Sequence, residues 1–158
     1  MQVRRSYITM AVVILLIVTV FFISNYYGDV EALENVDVSV ESVYISRFGL
    51  TDCTFILTLN ISNPSSHDIS SLSSNFEIFV ENISIGYGNF SGVDIKAYTA
   101  VRKDISVIVV YSSVAEAAVN TLRNIWKGGS PTVEIKGEIS GSILFGLTTF
   151  SYPFIASK

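Results

Sequence analysis

One cysteine, one histidine, one tryptophan and three prolines occur in 158 residues, and only 15% of the chain is charged. With Cys53 alone, no internal disulfide can close, so an exported domain must draw its stability from core and sheet. Cys53 lies on the apolar side of an alternating stretch and reads as a small buried hydrophobe. His67, the sole histidine, leaves no zinc ligand set of the usual type. The 14 acidic residues nowhere form the closely spaced oxygen-ligand loop of a calcium site. Gly86-x-Gly88 lies in a hairpin pattern and not between a strand and a helix, which excludes a phosphate loop. No cofactor is expected. Basic residues are scarce as well: setting Arg4 and Arg5 aside, 8 of the 10 basic residues remain against 14 acidic ones, a net of −6. That argues against nucleic acid or an anionic membrane surface as partner, since both need a basic face.

Charge is missing altogether from Tyr7 to Ile23, the source of the high mean hydropathy of +0.49. As a helix these 17 residues span roughly 26 Å, a little under a hydrocarbon core of about 30 Å, and Ser24 to Tyr27 supply the remainder. Tyr7, Tyr26 and Tyr27 suit the two interfaces. Arg4 and Arg5 precede the run while Asp29, Glu31 and Glu34 follow it, which places the N-terminus in the cytoplasm and the bulk outside. A cleaved secretory signal shares the basic start and apolar stretch. No small-x-small site follows Phe21-Phe22-Ile23 closely, however, and Val30-Glu31-Ala32 is far downstream, so an uncleaved signal anchor fits better. The expected division is a stub and anchor at 1–27, an acidic tether at 28–35 and an extracytoplasmic domain at 36–158, with the lipid bilayer as partner of residues 7–27.

Within the domain, Phe55, Leu57, Leu59 and Ile61 alternate with polar residues, the pattern of a strand buried on one face, and Asn63-Pro64 ends it because proline lacks the ladder donor. Val36 to Ile45 alternates with a slip at Ser42, which predicts a strand over 36–46 with a bulge there. Ser65 to Ser74 reads as a polar connection dipping Ile69 and Leu72 into the core. Phe76–Glu81 and Ile83–Tyr87 predict a hairpin around Asn82, and Val93–Tyr98 a loop or edge strand. Val101–Tyr111 is apolar on both faces from Ile105, the mark of a central strand or one covered by a helix. Ser113-x-x-Glu116 reads as a capping box for a helix whose apolar face holds Val114, Ala118, Leu122 and Ile125 and which stops at Gly128-Gly129. Val133–Ser140 and Ile143–Ile155 close the set, and Pro153 demands a sheet edge or bulge. The total, about seven strands and one helix with frequent turn signals, predicts a mainly β, antiparallel sandwich.

This order resembles the late embryogenesis abundant group 2 family and its water stress and hypersensitive response domain. The resemblance rests on Leu57-x-Leu59-x-Ile61-x-Asn63-Pro64, the Phe76 to Gly88 hairpin, the strand and helix from Val101 to Lys127, Val133-x-Ile135-x-Gly137 and a terminal Pro-Phe. It covers Val36 to Ile155. Ser65 departs from it, standing where the family often has a second asparagine. The resemblance implies an immunoglobulin-like or fibronectin type III-like sandwich in a desiccation-related protein, often with one N-terminal membrane helix, in a family not known as enzymes.

Ser66-His67-Asp68 contains the residue types of a nucleophilic triad, but sequence neighbours rarely converge on one atom, and a polar turn after Pro64 is the better reading. Asn60-Ile-Ser, Asn82-Ile-Ser and Asn89-Phe-Ser match the N-glycosylation pattern, Asn82 and Asn89 at the more accessible positions. The function these features favour is non-enzymatic: a membrane-anchored domain acting by surface contacts in envelope protection or organisation, with an envelope protein or a second copy as partner and no small-molecule substrate. A structural or adhesive subunit pairing through an exposed edge strand is the alternative, and a small hydrolase ranks below both.

Overall fold

A computed structural model describes residues 2–158, with side chains from Tyr7 onward, so the side chains of Arg4 and Arg5 lie outside the described set. Helix α1 (Gln2–Glu34) leads into seven antiparallel strands: β1 (Asp37–Phe48), β2 (Asp52–Asn63), β3 (Ile69–Val80), β4 (Ile83–Ile95), β5 (Thr99–Val110), β6 (Val133–Ile143) and β7 (Thr148–Ser157). Helix α2 (Glu116–Trp126) stands between β5 and β6. One sheet has the order β1-β2-β5 and the other β4-β3-β6-β7. The expected mainly β, two-sheet antiparallel sandwich is thus the fold.

The core lies between the sheets. In β2 every second residue from Cys53 to Ile61 is fully buried, facing Ile78 of β3 and Ile135 and Ile139 of β6, also buried. The slip in β1 is absorbed by irregular register between Val40 and Ser42, and a second one follows between Ile45 and Arg47. β3 and β4 meet at Glu81-Asn82, both at positive φ (49° and 64°), the backbone of a tight hairpin turn. Phe76 is paired with Gly88 on one side and Gly137 on the other. A Cβ on Gly137 would come within 2.3 Å of the Asn75 carbonyl oxygen, and one on Gly88 within 2.5 Å of the Phe76 ring. The two glycines make room for an aromatic side chain at the centre of that sheet. Pro153 lies on β7, an edge strand, as its missing N–H requires.

Four expectations are corrected. The serine-rich stretch from Ile69 to Ser74 is already part of β3, pairing with β6 through a register irregularity between Ser70 and Ser73. β5 is neither central nor covered: it is an edge strand, and its outward Ile108 is 63% exposed. The helix that follows packs against β1 and β4 instead of the outer face of β5, burying Ala118, Leu122 and Ile125. Ser113 is not an N-cap. It closes a 3₁₀ turn (Tyr111–Ser113), its hydroxyl donating to the Val110 carbonyl at 2.7 Å, and α2 starts later, after Ala115.

The fourth concerns the tether. Residues 28–34 are helical, the last two turns of α1, and they dock on the sandwich: Ala32 and Leu33 are buried, Leu33 at 2% exposure against Gly141 of β6. Their acidic neighbours mask a short apolar face at Val30 and Leu33, one helical turn apart.

Cys53 is fully buried, and burial raises its thiol above the usual range, with the Tyr111 hydroxyl acting in the opposite sense. Alkylation of the folded chain is therefore expected to be slower than that of the denatured chain by roughly a hundredfold or more, since opening must precede reaction. Mass spectrometry after timed iodoacetamide exposure checks this; equal rates in the two states would contradict the burial.

Candidate functional site at the junction of helix and sandwich

A set of polar side chains, Asp29, Asn63, Ser65, His67, Asp68 and Lys96, meets at the end where α1 enters. Asn63 ends β2, opposite Thr99 of β5, and Pro64 turns the chain out of the sheet. The Asn63 side chain is 0% exposed. Its Nδ2 donates to the carbonyls of His67 (2.7 Å), Lys96 (3.3 Å) and Ile95 (3.5 Å), and its Oδ1 accepts from the Ser65 amide (3.0 Å) and hydroxyl (2.7 Å). One amide thereby ties the β2–β3 turn to the β4–β5 turn. Every group it can offer is used internally, so the Asn63-Pro64 motif acts here as a structural knot with nothing left to hold a ligand.

Asp68 secures the same two turns from outside, accepting from the Ala97 amide (2.9 Å) and the Lys96 ammonium (2.8 Å). The Lys96 hydrogen bond, then the Ala97 amide, holds the Asp68 carboxyl below its ordinary range, and the same hydrogen bond holds the Lys96 ammonium above its own. The contribution of Asp68 is present above the ordinary carboxylate range and is lost as pH falls through its lowered value. That of Lys96 is present below the ordinary lysine range and is lost as pH rises through its raised value. In an acid titration the Ala97 amide proton resonance is expected to move with a midpoint below the ordinary aspartate range. It should stay still in Asp68→Asn; motion persisting in that variant would rule out Asp68 as the acceptor.

His67 joins this knot to the helix. Its Nδ1 lies 3.4 Å from Asp29 Oδ1, and its ring occupies the space where a Cβ on Gly28 would sit, 2.2 to 2.7 Å from three ring atoms. The other carboxylate oxygen of Asp29 accepts the Leu144 amide of the β6–β7 turn at 2.8 Å. Gly28 and Asp29 therefore bring the helix against two turns of the sandwich. Sequence reasoning missed both. The signal was present in a glycine followed by aspartate directly after an apolar span, but its partners are 39 and 115 residues away in the chain.

Ser66, His67 and Asp68 diverge. His67 meets Asp29, Asp68 meets Lys96, and Ser66 is exposed. The arrangement positions backbone and does not aim a hydroxyl, an imidazole and a carboxylate at one atom. Among the described residues no three His, Cys, Asp or Glu side chains are placed to hold a metal ion. Two open clefts flank the knot. One, of about 490 Å³, lies between Asp29, Asp68, Ser142 and Phe145; the other, of about 360 Å³, lies between Glu31, Pro64, His67 and Tyr98.

Of the three sequons, Asn82 and Asn89 lie away from this junction, while Asn60 stands on β2 three residues before Asn63. Asn82 is exposed in the β3–β4 turn at the opposite end of the sandwich, and Asn89 is exposed on the edge strand β4. Asn60 is half-buried on the outward side of the central strand β2. No family model and no curated protein matches the chain.

Among solved structures the fold is similar to that of an Arabidopsis thaliana protein determined in solution, at 22% identity over 77% of this chain and 78% of that one, with a TM-score of 0.52. A candidate late embryogenesis abundant protein, also determined in solution, aligns over 90% of this chain and 81% of its own at 9% identity and a TM-score of 0.43. A crystal structure of an Archaeoglobus fulgidus protein aligns over 80% and 94% at 15% identity and a TM-score of 0.41. The first likeness concerns the fold alone, and the other two are too distant to carry an argument.

Proposed function

We propose that this chain is a single-pass membrane protein that presents a non-enzymatic, extracytoplasmic sandwich of the desiccation-related group 2 type and acts through surface contacts in envelope protection or organisation. The observation that carries the reading is continuity. Among the described residues α1 is the one helix long and apolar enough to cross a membrane, and it runs without a break into a docked end whose Ala32 and Leu33 are core residues. A domain held this way stands at a fixed height and attitude above the lipid, which suits presentation of a surface more than capture of a substrate. The orientation rests on Arg4 and Arg5 before the span and acidic residues after it. The strand order β1-β2-β5 against β4-β3-β6-β7 supports an immunoglobulin-like reading, A-B-E facing C′-C-F-G. Glycans at Asn82 and Asn89 would hydrate the distal end and one sheet edge.

A second reading, self-assembly by edge pairing, is favoured by β5. Its first half carries Arg102, Lys103 and Asp104, which blunt an edge, but Ile105 to Val110 has no charge and leaves Ile108 outside. Protease digestion of intact cells tests the main reading: the sandwich should be cut or shed while a short N-terminal stub stays protected, and a sandwich shielded inside the cell would end it. Electron microscopy of the full chain in nanodiscs separates the two modes, since fibres or rows lost in Ile108→Lys support edge pairing and dispersed single domains support the first.

A further inference from the structure

The β6–β7 turn is Leu144-Phe145-Gly146-Leu147, an apolar tip between Ser142 and Thr148. Phe145 is 70% and Leu147 75% exposed. The tip is not a relaxed one. Leu144 and Phe145 both have left-handed backbones (φ 52° and 60°), which bulky side chains seldom adopt and which asparagine and glycine would adopt freely. Two large apolar residues are kept there against the local preference, and a free aqueous surface gives no reason for it.

The position of the tip supplies the reason. The Phe145 ring stacks on Phe21 at 6.2 Å and meets Phe22 edge-on at 6.5 Å. Phe21 and Phe22 belong to the uncharged run of α1, four to six residues before Tyr26 and Tyr27, or roughly 6 to 9 Å along the helix on the N-terminal side of those tyrosines. A helix that crosses the bilayer with Tyr26 and Tyr27 at the interface carries Phe145 below that level. Between the turn and the helix runs a shallow apolar groove of about 350 Å³ lined by Phe22, Ile23, Tyr26, Tyr27 and Leu144, open on one side.

We infer that the β6–β7 turn is a second membrane anchor: Phe145 and Leu147 insert among the acyl chains of the leaflet nearest the sandwich, beside α1, and an acyl chain fills the groove between them. Asp29, which accepts the Leu144 amide, locks the turn to the helix at the base of the insertion. With two points of attachment the sandwich can neither spin about the helix nor lift from the lipid. The inference rests on α1 crossing the bilayer, and its test keeps the two apart.

Single cysteines placed at Phe145, Leu147, Val18 or Leu50 of the full chain are labelled with an environment-sensitive fluorophore in phosphatidylcholine nanodiscs. Buried Cys53 stays unlabelled, and the unmodified chain sets the background. Val18 reports the span, and Leu50, 100% exposed in the β1–β2 turn at the far end, reports open water. Labels at 145 and 147 are expected to emit to the blue of that at 50, to lose quenching by iodide, and to gain quenching by nitroxide-bearing acyl chains. If they behave like the label at 50 while that at 18 is quenched from the lipid, the turn does not insert and the inference is overturned with the helix reading intact. If the label at 18 also behaves like that at 50, both are overturned.

Discussion

Asn63→Asp, which exchanges one amide nitrogen for oxygen, is expected to destabilise the sandwich by about 3 to 5 kcal/mol, the usual cost of leaving a buried charge without its partner. The nitrogen it replaces faces three carbonyl oxygens, those of His67, Ile95 and Lys96. A carboxylate there would lose those hydrogen bonds and repel the same atoms, with no water to relieve it because the site is 0% exposed. The two hydrogen bonds from Ser65 to Oδ1 survive and are too few to offset the rest. A carboxyl in that place is raised above its unfolded value, so the folded state holds the proton more tightly. The penalty should be small in acid and grow as pH rises from about 4 toward the raised value. Urea titrations of the full chain in detergent at several pH values measure it. A midpoint that is unchanged, or that falls with acid, would show that Asn63 does not hold the two turns together.

Replacing Leu33 by aspartate should produce the other large effect, and of a different kind. Leu33→Ala alone removes enough buried surface to cost about 2 to 5 kcal/mol, and a charge at 2% exposure costs more. Because Leu33 belongs to the helix and Gly141 to the sandwich, the variant is expected to undock the end of α1 while the β-sheets stay folded. Spin labels at Ile14 in the apolar run and at Leu50 on the far turn read this directly. The native chain should give a narrow distance distribution and Leu33→Asp a broad one. A distribution equally broad in the native chain would mean that the helix end is a loose tether after all, and the fixed presentation argued above would go with it.

These two residues mark how far the chain could be read before its structure was seen. Asn63 stood out in sequence because proline after an alternating run must end a strand, a local rule. That its amide would be consumed by carbonyls four, 32 and 33 residues ahead could not be seen, since hydrogen-bond partners follow from how turns are brought together. Leu33 did not stand out. Its acidic neighbours broke the helical pattern, and docking depends on a glycine more than a hundred residues away leaving a hollow of the right depth. The same division explains the corrections. The apolar run of β5 reports two apolar faces, but which neighbours cover them is decided by strand order, and the strand fell at an edge. Ser113 had the sequence of a cap, yet its hydroxyl found the nearer Val110 carbonyl within the 3₁₀ turn.

By itself the sequence determined the parts governed by local periodicity and composition: an uncharged helical span, strands of period two, a hairpin at Asn82, a second helix ending at paired glycines, and no internal disulfide. Tertiary structure alone decided what lies beside what. It made β5 an edge, seated α1 on Gly141, turned Asn63 into a knot, and set Phe145 level with Phe21. Short-range patterns are dictated by backbone geometry and the burial of one face, which a few residues suffice to encode. Contacts between distant segments depend on the sum of all packing and hydrogen-bonding choices at once, and no single stretch of the chain contains them.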